Sequence, residues 1–67
     1  MSVTNVPTEL KAQLKQQRLR NLQAMWYERQ LNKVACEAQG ATQQAALEQA
    51  EMDKLALAYD AVEAFEE

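Results

Sequence analysis

Histidine is absent from this 67-residue sequence, and cysteine, glycine, proline and tryptophan occur once each. With Cys36 alone and no histidine, the usual zinc, iron-sulfur and haem ligand sets cannot be assembled, and no disulfide can form within the chain. There is also no Gly-rich phosphate loop and no nucleophile spaced to meet a base, so neither an enzyme nor a cofactor is expected. No apolar run reaches membrane-spanning length, and the start Met-Ser-Val-Thr-Asn-Val-Pro has neither the basic nor the apolar part of a secretion signal. A cytoplasmic protein with no membrane partner is expected, or one held in the host cytosol or a virion if the source is viral.

What the chain does contain is helix-forming residues. Beyond Thr8 it is dominated by Ala, Leu, Gln, Glu, Lys and Arg, with few β-branched residues and no further proline. The fold class is all-α. Pro7 and Thr8 supply a start signal with Thr8 as N-cap, which leaves residues 1–7 as a flexible arm and 8–67 as the helical part. Gly40 followed by Thr42 reads as a C′ residue and the next N-cap, giving a first helix over about 8–39 and a second over about 42–66.

The second helix carries a heptad seam of Ala41, Ala45, Glu48, Met52, Leu55, Tyr59, Val62 and Glu66, with an acid inside it at Glu48 that either fixes register by pairing or marks an open stretch. A second apolar cluster, Leu47, Ala50, Leu57, Ala58, Ala61, Ala64 and Phe65, lies nearly opposite. The first helix is also two-sided. One stripe holds Leu10, Ala24, Tyr27, Leu31, Val34 and Ala38; the other holds Leu14, Leu19, Leu22, Met25, Trp26 and Cys36. A lone two-helix hairpin needs one apolar stripe per helix, so two on each imply a four-helix-bundle-like oligomer in which the chain is its own partner. At this length a single core barely offsets chain entropy, which also points to association. The expected oligomer or hairpin seam is Tyr27, Leu31, Val34, Met52, Leu55, Tyr59 and Val62. An alternative survives, because the heptad runs from Leu31, Val34 and Ala38 to Ala41, Ala45, Met52 and Leu55 without a stutter. One interior glycine costs only about 1 kcal/mol, so a single long helix in an antiparallel coiled coil is allowed.

Charge is divided at the same glycine. Up to Gln39 there are six bases and three acids; after Gly40 there are one base and seven acids. Lys11, Lys15, Arg18 and Arg20 open the first helix, and Asp60, Glu63, Glu66 and Glu67 close the second, each block adverse to the dipole of its own helix. The two blocks therefore belong side by side. Folding back at Gly40 pairs residues whose numbers sum to about 80, which brings Lys15 and Arg18 to Phe65 and Val62.

Three function classes fit. A protein-interaction module, or adaptor, would use Leu19, Leu22, Met25, Trp26 and Arg29 to dock a partner protein, an apolar anchor with a basic rim suited to an acidic amphipathic helix. Trp26 fits the bundle core as well as it fits an interface. A nucleic-acid regulator would place Lys11, Lys15, Arg18 and Arg20 on phosphates; a bundle of two hairpins resembles in outline the small plasmid copy-number RNA-binding protein Rop, a likeness of architecture from which no functional residue carries over. A small structural or assembly component is the third class, and Ala/Gln/Glu-rich chains of this length resemble accessory proteins of tailed phages. Cys36, among Val34, Ala35 and Ala38, is expected to pack like alanine. The Gln-rich stretches Gln13 to Gln17 and Gln39 to Gln49 read as solvated surface.

Overall fold

A computed structural model describes residues 4–66, leaving residues 1–3 of the expected arm and residue 67 outside the described part. Two α-helices, α1 (Thr8–Ala38) and α2 (Thr42–Ala64), fold back on each other as an antiparallel hairpin with Cα extents of 54 × 17 × 14 Å. Gly40 is a turn, and the continuous helix is not what forms.

The turn is compact because the N–H groups of Gly40, Ala41 and Thr42 all bond within it. Gly40 has φ 76°, the left-handed conformation that a side chain makes costly. The Ala41 N–H donates to the Cys36 carbonyl at 2.8 Å and the Gly40 N–H to the Glu37 carbonyl at 3.1 Å. These are the two bonds of a Schellman motif. The Thr42 N–H then donates to the Gly40 carbonyl at 3.0 Å, closing an inverse γ-turn about Ala41, whose φ and ψ are −84° and 71°. Three residues thus reverse the chain.

Both expected threonine caps are corrected. Thr8 and Thr42 are the first helical residues, and the cap positions fall to Pro7 and Ala41, neither with a side-chain cap. At α1 the fixed φ of Pro7 stands in: its carbonyl accepts the first helical bond, from the Lys11 N–H at 2.9 Å. At α2 the γ-turn leaves Ala41 in the flanking place, with its carbonyl accepting from the Ala45 N–H at 3.0 Å.

The register follows from the turn. Lys15 meets Glu63 and Phe65, Arg29 meets Glu48, and Lys33 meets Gln49, all pairs with numbers summing near 80. The buried core is small: Leu19, Leu22, Ala45 and Met52, with Trp26, Leu55, Tyr59 and Val62 half-buried around them. On α2 this is the heptad seam of the sequence.

On α1 the inward face differs from the one expected. Tyr27, Leu31 and Val34, expected in an oligomer or hairpin seam, do not form the hairpin seam; they are 56%, 51% and 57% exposed. Lys15, Leu19, Leu22, Trp26, Gln30, Lys33 and Cys36 face α2 instead. The heptad that ran smoothly through Gly40 misled here, because the turn sends the line Leu31–Val34–Ala38 outward and its continuation Ala41–Ala45 inward. The inner edge of α1 consequently changes character along its length. In the open half it is Leu19, Leu22 and Trp26; toward the turn it is Arg29, Gln30 and Lys33, while the apolar residues move to the outside.

Helix α2 ends at Ala64, two residues short of the expected boundary, with Phe65 extended at ψ 124°. Its last turn has no base of its own to offset the dipole. Lys15 of α1 supplies one: its ammonium donates to the carbonyls of Glu63 at 2.9 Å and Phe65 at 3.0 Å. The expected meeting of the two charge blocks is thus realised, at Lys15, by backbone carbonyls rather than carboxylates.

Candidate interaction surface

Toward the turn, the hairpin is crossed by contacts between polar side chains. One Arg29 guanidinium nitrogen lies 3.3 and 3.4 Å from the two carboxylate oxygens of Glu48, whose side chain is only 12% exposed while that of Arg29 is 44% exposed. Glu48 is therefore the acid inside the seam that pairs across it. Lys33 donates to Gln49 Oε1 at 2.6 Å, and Gln49 Nε2 donates to Asp53 Oδ1 at 2.9 Å. These bonds let an arginine, a lysine and a glutamine occupy the inner edge without leaving a buried polar atom unpaired among the described residues.

Where the inner edge of α1 passes from apolar to polar, one broad side of the hairpin opens into a groove of about 420 Å³. Leu22, Gln23, Trp26 and Tyr27 line it from α1, and Leu55, Ala56, Tyr59 and Asp60 from α2. Helical projection puts Tyr27 at the rim and continues the same apolar line along the outside of α1 through Leu31 and Val34, with Ala24 and Ala38 at its ends. Gln23, Glu28, Gln30, Ala35 and Glu37 flank this line, so its immediate borders carry two acids and no base. Leu10, Leu14, Met25, Leu47, Leu57 and Phe65 are the other large apolar residues left exposed among those described.

The expected docking residues are divided by this geometry. Leu19 and Leu22 are 7% and 8% exposed, packed against α2, and so cannot serve as an anchor on the outside. Trp26 is half-buried at the groove, partly core and partly surface. Met25 is exposed on the other broad side, and Arg29 is engaged by Glu48. Nothing in the local pattern marks Gln23, Ala56 and Asp60 as bordering a groove, because that depends on which two helical faces the turn brings together.

The candidate phosphate contacts are divided too. Lys11, Lys15 and Arg18 line a second, larger groove at the open end with Thr4, Val62 and Phe65, whereas Arg20 does not. Lys15 is occupied by the end of α2. Cys36 is a half-buried free thiol beside the turn, in keeping with packing as a small apolar group. Among the described residues no cluster of three His, Cys, Asp or Glu side chains is placed to hold a metal ion, and no helix is long and apolar enough to cross a membrane.

No family model, no curated protein and no solved structure matches the chain.

Proposed function

We propose that the protein is a non-enzymatic interaction module that self-associates and holds a partner protein on the surface its assembly leaves open. The carrying observation is an area. The chain exposes 5538 Å², whereas a compact protein of 7.6 kDa exposes about 4,300 Å². The surplus, about 1,200 Å² per chain, matches in size what one subunit contributes to an obligate dimer interface of roughly 2,000–5,000 Å² in total. A core of four buried residues offers little to offset the entropy of ordering two long helices. Burial by a second copy supplies what the single hairpin lacks.

The phosphate-binding alternative draws less support, since Arg20 stands apart from the other three bases and Lys15 already has partners. An assembly component would use the same self-association inside a larger structure. Sedimentation equilibrium over a range of concentrations tests the reading. A dimer or larger species at micromolar concentration is expected, and a folded monomer throughout would overturn it.

A further inference from the structure

Resting on that reading, we infer where and in what direction the second copy binds: its α1 lies antiparallel along the outer line of the turn half, with Leu31 meeting Leu31 at a two-fold axis. Three observations lead there. Tyr27, Leu31 and Val34 are each more than half exposed, and with Ala24 and Ala38 they recur at the alternating spacing of three and four that a helix seam requires. The sequence along this line is nearly a palindrome in size about Leu31. Reversing one copy sets Ala24 against Ala38 and Tyr27 against Val34, small against small and large against large. The 420 Å³ groove beside Trp26 and Tyr27 lies next to the line and gives the Val34 of the second copy a place to enter. A two-fold arrangement repeats that insertion, since each copy carries both the projecting residue and the groove.

Orientation follows from what flanks the line. Centred on Leu31, the antiparallel pairing joins only the turn halves, where the borders are Gln23, Glu28, Gln30, Ala35 and Glu37, and reversal sets Glu28 beside Ala35 and Glu37 beside Gln23 rather than acid on acid. Centred instead on the middle of α1, it would lay Leu31 and Val34 against the Gln13 to Gln17 region and its neighbouring bases. A parallel pairing would extend the contact along the same line to Arg20 and set that arginine against its own copy, which like charges oppose.

The full chain carrying Cys36→Ala provides the test, with single cysteines introduced at Leu31, at Leu10 and at Leu57 and cross-linked by mild oxidation or a short bis-maleimide. The Leu31→Cys protein should be captured mainly as a covalent dimer, with Leu10→Cys and Leu57→Cys at background. Efficient capture through Leu10 as well would mean a parallel pairing, and preferential capture through Leu57 would mean another face; either overturns the inference while leaving self-association standing. A wild-type chain that sediments as a folded monomer would remove both. As a second readout, Leu31→Glu should weaken self-association by at least about a hundredfold, and Leu57→Glu should leave it unchanged. Circular dichroism of each variant confirms that the helices persist, and equal weakening by both substitutions would count against the assigned face.

Discussion

The two halves of the hairpin solve opposite problems. In the open half, α1 turns Leu19, Leu22 and Trp26 inward to Leu55, Tyr59 and Val62, while its outside carries glutamines and bases together with Leu10 and Leu14. In the turn half the arrangement is inverted: Arg29, Gln30 and Lys33 face inward to Glu48 and Gln49, and Tyr27, Leu31 and Val34 face out. Apolar burial holds the first half together. The second is held by the geometry of the Gly40 turn, a few polar bonds and the burial of Ala45 and Met52 from α2, while the apolar line on the outside of α1 stays exposed. A helix whose apolar face shifts midway is thus suited to two contacts in succession, one within the chain and one beyond it.

The sharpest way to break this contrast is to truncate one leucine in each half. Leu22→Ala should cost about 2–5 kcal/mol, enough to abolish a cooperative thermal transition by circular dichroism in a chain this small. Leu31→Ala should instead change how steeply the melting temperature rises with protein concentration, because its side chain is half exposed in the single hairpin. The same dependence on concentration for both would erase the distinction between the halves.

Smaller effects probe the turn half alone. Gly40→Ala should cost about 1–2 kcal/mol in urea denaturation. An added Cβ meets nothing within 4 Å, so the loss is purely one of backbone conformation. At the other end, Lys15→Met keeps the aliphatic stem but removes the two bonds to the α2 carbonyls, and should lower stability by about 0.5–1 kcal/mol. Smallest of all, a double-mutant cycle of Arg29→Ala and Glu48→Ala should give a coupling of about 0.2–1 kcal/mol that shrinks in high salt, since the arginine side chain is 44% exposed.

Much of the fold can be read from the sequence. Helix-forming composition and the unbroken α2 heptad from Ala41 to Val62 point to the same two helices and the same inner face that the structure has, and a turn at Gly40 sets the register of Lys15 on Phe65. Local pattern left the turn itself open, because a glycine inside a continuous heptad is tolerable to either conformation; the bonds from Gly40 and Ala41 back to Glu37 and Cys36 are what distinguish them. The inner face of α1 was harder still. Polar residues at Arg29, Gln30 and Lys33 look like solvent-facing positions until their partners on α2 are known, so the more apolar line through Leu31 is taken for the seam. Of Trp26, Tyr27, Leu31 and Val34 on the candidate surface, only Trp26 reads from the sequence as a docking residue; the other three read as seam, and their grouping with the groove needs the relative rotation of two helices.

The position of the turn also bears on how the chain folds. Closing three residues at Gly40 is fast, on the scale of tens of nanoseconds for short loops, but it brings together the polar, weakly packed half first. Leu19 and Leu22 meet their partners only after a much longer segment has closed, and the entropic cost of that extra length grows slowly, about 0.6 kcal/mol for each doubling. A turn closed on such weak contacts reopens as quickly, so the transition state is expected to be set by collapse of the open half, with the Gly40 turn locked in place only afterwards. Substitutions at Leu22 should slow folding, whereas those at Gly40 should mainly quicken unfolding.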